Sequence, residues 1–298
     1  MGVRQRSVAL IGERGMLAQK VRQLAPAHYV IHRLSRPGFD LADAVGVREK
    51  LLALRPDVII NCAAYTHVDG CESNADTAFR VNGEGPGNLA RVADELGATL
   101  VQVSTDYVFA GDASQPYRED DQVGPQSVYG RSKLCGEKAI IDSGLKRYFI
   151  IRTSWLYGPD GKNFVETMLR LAAEREELRV VADQVGSPTY TGDLARAIFN
   201  LLAVADAGRE DNYGIYHFSN EGCCSWHAFA EAILTMARSL GLPVLARRVV
   251  PIGTEDYPLP APRPAYSVLS KDKYRQVTGA QVPLWRDSLE FYLRNDRS

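Results

Sequence analysis

Cysteine is scarce in this chain of 298 residues: there are five, at 62, 71, 135, 223 and 224, and no two stand as a C-x-x-C pair. That excludes a disulfide framework or a thiolate metal site and implies reduced, buried thiols in a cytosolic protein. Adjacent Cys223 and Cys224 are poorly placed to bridge each other. Net charge is almost absent, with 35 Lys and Arg against 36 Asp and Glu, which excludes a general nucleic-acid or membrane-surface binder. No run approaches the ~20 apolar residues of a membrane span. The start, Met1-Gly2-Val3-Arg4-Gln5-Arg6, lacks the apolar stretch of a secretory leader. Arg6 also stands where a myristoylation signal needs Ser or Thr. The five histidines (His28, His32, His67, His217 and His227) show no ligand spacing and are expected to be ordinary surface or packed residues. No internal repeat or low-complexity segment occurs. What is there is a chain 45% apolar, with ample material for a core in one large or two modest domains.

Strand and helix patterns alternate through the first half, as a series of βαβ units requires. Val8-Ala9-Leu10-Ile11 is an apolar run stopped by glycine, the pattern of a buried parallel strand. Further strands are expected over 29–34, 58–60, 99–103 and 148–152. Helices are expected over 19–24, 45–54, 76–96 and 129–143, the third weakened or bent by Gly83, Gly85, Pro86 and Gly87. Beyond residue 163 the pattern is less regular: an amphipathic stretch to 175, a strand near 179–181, and a helix near 193–204. Four prolines (258, 260, 262 and 264) share one later loop.

Two places carry chemistry. After the first strand comes Gly12-Glu13-Arg14-Gly15-Met16-Leu17-Ala18. Gly12 permits a tight turn, and Gly15 lets backbone N–H groups approach a pyrophosphate at a helix N-terminus. Ala18 replaces the third glycine of that fingerprint and is still small enough for close helix–strand packing. A plain strand-to-helix turn would read the same in isolation. The second place is Ser104-Thr105-Asp106 at a strand end, followed by Tyr129 and Lys133 four residues apart in Y-G-R-S-K. A phenol titrates near pH ~10, so donating a proton at neutral pH needs a shift of roughly 3 units, about 4 kcal/mol. A lysine one helical turn on lies on the same face and can stabilise the phenolate. A bare Y-x-x-x-K also describes any surface tyrosine beside a lysine; the hydroxyl-bearing strand end and the glycine loop set this one apart.

Taken in order, these residues resemble the extended short-chain dehydrogenases, and within them the dTDP-4-dehydrorhamnose reductases. The matching stretches are R-P-D-V-I-I-N-C-A-A-Y-T (55–66), V-D-G-C-E (68–72), V-S-T-D-Y-V-F (103–109), V-Y-G-R-S-K-L-C-G-E (128–137), R-T-S-W-L-Y-G (152–158), D-Q-V-G-S-P-T-Y (183–190) and R-P-A-Y-S (263–267). The resemblance implies that Thr105 hydrogen-bonds a substrate carbonyl, Tyr129 donates the proton, and Lys133 lowers its pKa and binds the nicotinamide ribose. It puts Asp106 and Trp155 against the sugar nucleotide, although Asp106 can serve as a turn or cap residue and Trp155 as a core aromatic. Cofactor contacts carry over to Gly12, Gly15, Met16 and Leu17, to Asp40 and Leu41, and to Ala63, Ala64, Tyr65 and Thr66. Ala63 and Ala64 also suit plain tight packing beside a strand end.

The second strand ends in Leu34-Ser35-Arg36 with no carboxylate at its tip. A carboxylate there binds the ribose hydroxyls of NAD, so its absence, with Ser35, Arg33 and Arg36 close by, favours NADPH, with NADH possible. The arginines can equally be solvated surface charges. Arg263, fixed between Pro262 and Pro264, is expected either to grip the nucleotide diphosphate or to tie its loop to a helix. Some members of the family form a Mg²⁺-bridged dimer through an acidic residue of the first helix. Gln19 and Lys20 stand there instead, so no metal is expected and oligomeric state stays open.

The implied fold is a Rossmann-type doubly wound parallel sheet with a smaller α/β substrate domain. The cofactor domain is expected over 1–152, rejoined by segments about 187–216 and 264–281, and the rest of 153–298 forms the substrate domain. The implied activity is reduction of the C4 ketone of dTDP-4-dehydro-L-rhamnose in the cytoplasm, with a small-molecule sugar nucleotide as partner. The alternatives are a sister 4-ketoreductase making another deoxysugar, or a non-catalytic NADP(H)-binding subunit that regulates a partner enzyme.

Overall fold

The N-terminal apolar run forms β1, Arg6–Ile11, and its side chains divide between two cores. Val8 and Leu10 enter one, Ala9 and Ile11 the other, because successive side chains on a strand point to opposite faces. A strand buried on both faces needs helices on both. The computed structural model, which describes residues 4–208 and 210–297, supplies them. Residues 1–3, on which the leader and myristoylation readings partly rest, lie outside that description.

Strands β2 (Tyr29–Leu34), β3 (Val58–Asn61), β4 (Thr99–Thr105) and β5 (Tyr148–Thr153) follow at the expected places. They pair in parallel in the order β2-β1-β3-β4-β5, and a late strand, Gly214–His217, adds beyond β5. The chain turns from one side of β1 to the other between β2 and β3, a topological switch that opens a crevice at the carboxyl ends of the strands. In chain order the helices are α1 (Met16–Leu24), α2 (Ala44–Leu54), α3 (Val68–Ser73), α4 (Ala75–Ala78), α5 (Gly85–Leu96), α6 (Val128–Asp142), α7 (Phe164–Glu174), α8 (Thr191–Asp206), α9 (Trp226–Ser239), α10 (Asp272–Thr278) and α11 (Trp285–Phe291). Helices α1 and α8 cover the Val8 and Leu10 face, and α2, α5 and α6 the other. The fold is therefore the doubly wound, Rossmann-type α/β sheet.

The single helix expected over 76–96 is broken. Between α4 and α5 the backbone widens into a π-helical turn, Phe79–Glu84. The cause is close packing against α6. A Cβ on Gly136 would lie 2.1 Å from the Asn82 carbonyl oxygen, and one on Gly83 would lie 3.0 Å from Cys135 Sγ. The widened turn aims the buried Asn82 side chain at the loop after β3, a placement regular α-helix does not give.

A third core gathers Tyr157, Val165, Leu169, Tyr190, Phe229, Ile233 and Trp285 around α7 and α9. It is edged by the parallel strand pair Glu177–Val181 and Arg248–Ile252. The cysteines are less uniformly buried than expected: Cys135 and Cys223 are exposed because they lie on an outer helix face and in a surface turn. His217 is packed in the interior, where burial pushes its imidazole down to about 3 and keeps it neutral. Among the described residues no helix is long and apolar enough to cross a membrane, and no group of His, Cys, Asp and Glu is arranged to hold a metal.

Candidate active site

The crevice at the switch point is a cavity of about 400 Å³. Its wall includes Gly12, Gly15, Ser35, Arg36, Asp40, Leu41, Ala63, Ala64 and Thr66, so segments far apart in sequence meet there. Gly12 adopts φ +84°, and a Cβ on it would sit 2.7 Å from the Ala63 nitrogen; only glycine fits that crossing. Gly15 caps α1 without a side-chain acceptor, which leaves first-turn N–H groups facing the cavity mouth. A backbone cradle with no Cβ in it, below a helix N-terminus, fits a dinucleotide pyrophosphate.

Of the expected cofactor residues, Met16, Leu17, Tyr65, Tyr129 and Lys133 lie off this wall. Leu17 is buried in the core, and Met16 packs against the loop at Gly161, where a Cβ would meet its Cγ at 2.4 Å. Tyr65 packs beside Tyr129 and Val128. Its position is held by Asn82, which accepts from Tyr65 N at 2.8 Å and donates to Tyr65 O at 3.1 Å and to Ser132 Oγ at 3.0 Å. Nothing in the sequence reading singled out Asn82; a polar residue beside Gly83 in a nominal helix was the available signal.

Beside the crevice, where Lys133 neighbours Cys62 of its wall, Thr105 closes β4, and its hydroxyl donates to Asp106 Oδ1 at 3.0 Å. Ser127 caps α6 by accepting from Gly130 N at 3.1 Å, which sets Tyr129 and Lys133 in the first two turns. Gly130 is needed there: a Cβ would lie 2.2 Å from the Tyr107 carbonyl oxygen. Thr105, Asp106, Tyr129 and Lys133 are thus brought together by one strand end and one helix.

The electrostatics differ from the simplest expectation. Burial pushes the Tyr129 phenol above its ordinary value, and the neighbouring Thr105 hydroxyl offsets this only in part. Lys133 donates to the Val103 carbonyl at 2.7 Å rather than acting on the phenol. Burial lowers its ammonium to about 8, and Glu137 is the main charge opposing that. Glu137 is itself buried, paired with buried Arg152 (Nη2 to Oε2, 2.7 Å) and accepting from Ser104. This pair below the candidate catalytic residues was not anticipated. Asp106 is pushed up to about 6 by burial, partly countered by the Ser267 and Thr105 hydroxyls, and its Oδ2 is buried without a hydrogen-bond partner.

Trp155 follows β5 in the left-handed region, φ +48°, with its indole stacked on Trp226 at 3.5 Å between ring centres. Gly186 makes room for it, since a Cβ there would lie 2.6 Å from the indole. Of the two expectations for Arg263, the geometry shows the tie of its loop to a helix. Its guanidinium forms a two-pronged pair with Asp69 of α3, both bonds at 2.9 Å, and donates to the Ala261 carbonyl. Asp69 offers the same fork of oxygens that a phosphate would.

The β2 tip also departs from expectation. Gly12 N donates to Leu34 O at 3.0 Å, tying the glycine loop to β2. That brings Glu13 to the tip, where it accepts from Ser35 Oγ at 2.9 Å and lies 3.4 Å from Arg33 Nε. A carboxylate does stand at the end of β2, supplied from another segment.

A family model described as the RmlD substrate binding domain matches residues 6–298. The chain is 43% identical over 292 residues to the spore coat polysaccharide biosynthesis protein SpsK of Bacillus subtilis, covering 98% of both. It is 40% identical over 294 residues to a dTDP-4-dehydrorhamnose reductase of Burkholderia thailandensis, covering 97% of this chain and 98% of that protein. Among solved structures, a dTDP-4-dehydrorhamnose reductase from Bacillus anthracis in complex with NADP superposes with a TM-score of 0.89 at 39% identity, covering 97% and 99% of the two chains.

Proposed function

The chain belongs to the dTDP-4-dehydrorhamnose reductase family, and we propose that its cleft performs NADPH-dependent reduction of the C4 ketone of dTDP-4-dehydro-L-rhamnose, giving dTDP-L-rhamnose, with Tyr129 as proton donor. The observation that carries this reading is the meeting of Thr105, Tyr129 and Lys133 beside a glycine-floored crevice, with Lys133 next to Cys62 of its wall. NADPH supplies the hydride when bound; Gly12, Gly15, Ser35, Arg36, Ala63 and Ala64 would hold it. Thr105 would donate to the ketone oxygen and orient it. Burial keeps the Tyr129 phenol protonated at neutral pH, the form an acid must have. Lys133 would steady the nicotinamide ribose and balance the phenolate as it forms. The first core with the glycine loop serves as the cofactor half. The core around α7 and α9, with Trp155 and Trp226 at its edge, serves as the sugar-nucleotide half.

A cytoplasmic enzyme with a small-molecule partner, and no nucleic-acid or membrane partner, is the setting this implies. A sister 4-ketoreductase making another deoxysugar is the second reading, favoured by the spore coat name of the Bacillus subtilis relative. An NADP(H)-binding regulatory subunit is disfavoured by the intact Thr105, Tyr129 and Lys133. Oxidation of NADPH on adding the 4-keto-L-sugar, followed at 340 nm, decides between enzyme and regulator: steady turnover supports the enzyme, and stoichiometric binding without turnover the regulator.

A further inference from the structure

The adenosine end of the crevice is unusual in charge. Exposed Arg14 and Arg36 flank it, yet the Ser35 hydroxyl and the Arg33 guanidinium both point to Glu13. Glu13 is placed by backbone, since Gly12 N donates to Leu34 O and Gly15 N to Gly12 O, at 3.0 and 2.9 Å. Its carboxylate is therefore a fixed part of the β2 tip, half-buried, and holds the hydroxyl of Ser35, a residue of the crevice wall.

We propose that Glu13 is the residue that sets the balance between phosphorylated and unphosphorylated adenosine cofactors. This rests on reading the crevice as a dinucleotide site. A 2′-phosphate carries close to two negative charges, so a carboxylate at the same strand tip repels it and competes for Ser35 and Arg33. A free 2′-hydroxyl is a donor that the same carboxylate accepts. Arg14 and Arg36 pull the other way. The preference for NADPH is thereby held below what the arginines alone would produce, and NADH remains usable. A scan of the second strand for an acidic tip misses this, because the acid comes 22 residues earlier in the chain.

The test uses probes that need no catalysis. Wild-type protein and Glu13→Gln are titrated calorimetrically with 2′,5′-ADP and with 5′-AMP. Glutamine keeps an oxygen acceptor for Ser35 while removing the charge, and Glu13→Ala serves as a second variant. The expected result is a rise on the order of tenfold in the preference for 2′,5′-ADP in both variants, smaller at high salt. The same shift is expected in the NADPH to NADH ratio of kcat/KM. A preference that does not move, or equal weakening of both probes, overturns the proposal and leaves Glu13 as a loop tether. If wild type binds neither probe, the dinucleotide reading of the crevice falls, and this proposal with it. If it binds both and the ratio is unchanged, only the role of Glu13 falls.

Discussion

The two ends of the crevice are built on opposite physical terms. At the catalytic end, Thr105, Asp106, Lys133, Glu137 and Arg152 are all buried, and each charge is answered by one or two fixed partners. At the adenosine end, Glu13, Arg14, Arg33 and Arg36 are half-buried or exposed, and their charges reach water. Low dielectric makes the buried groups costly to alter and shifts the titration of Asp106 and Lys133. Solvent screening keeps the open groups weak, so they suit a choice between two similar cofactors better than holding a structure. On the proposed reading, chemistry and selectivity are separated between these two sets of groups, and variants in the two should differ in magnitude and in kind.

The largest effect is expected from Tyr129→Phe. The ring still packs against Tyr107, at 5.5 Å between centres, but cannot protonate an alkoxide. Loss of kcat should be about 10²–10⁴-fold with cofactor affinity kept. A Phe variant with near-normal kcat would remove the phenol from the mechanism.

Next comes Glu137→Gln, which leaves Arg152 charged and uncompensated in the interior. Breaking such a pair costs about 3–5 kcal/mol, readable as a lower denaturant midpoint. Replacing both partners by apolar residues of similar size should recover much of that. If the single variant unfolds like wild type, the buried end is not as tightly coupled as its geometry implies.

Lys133 gives the comparison a pH signature. Its folded-state value of about 8 lies below the ordinary 10.5, so between these values the unfolded chain holds more protons. The contribution of this group to stability therefore rises with pH through that window, by up to about 3 kcal/mol. Activity should do the reverse and fall above pH 8 as the ammonium is lost. Lys133→Met should flatten the stability trend; a stability profile identical to wild type would contradict the burial assigned to this lysine.

Much of this was legible in the sequence, for reasons that differ by element. Strands such as β1 and β3, buried on both faces, leave continuous apolar runs, and β1 to β5 could be read within a residue or two. Tyr129 and Lys133 sit on one helix, and a four-residue spacing encodes their shared face. The pairings that were missed are non-local. Glu13 meets Ser35 because a glycine turn is tied to β2, and Arg263 meets Asp69 across 194 residues. No periodicity records either contact. The π-helical turn was hidden for a related reason: it depends on Gly136 of a later helix approaching the Asn82 carbonyl.

The smallest effect is expected from Arg263→Ala, in the loop beside Tyr107. Its pair with Asp69 is partly exposed, the side chains being 16% and 29% accessible, so about 1 kcal/mol and a fall of about 2 °C in Tm are expected. KM for the sugar nucleotide should change little. A large rise in KM with Tm unchanged would return Arg263 to the diphosphate.

The most direct measurement is product analysis by NMR after incubating the enzyme with dTDP-4-dehydro-L-rhamnose and NADPH carrying deuterium at the transferable position of its nicotinamide. The expected result is dTDP-L-rhamnose with deuterium at C4 and a hydroxyl that exchanges with solvent. Unchanged 4-keto sugar, or deuterium found at any other carbon, would contradict reduction at C4 in this cleft.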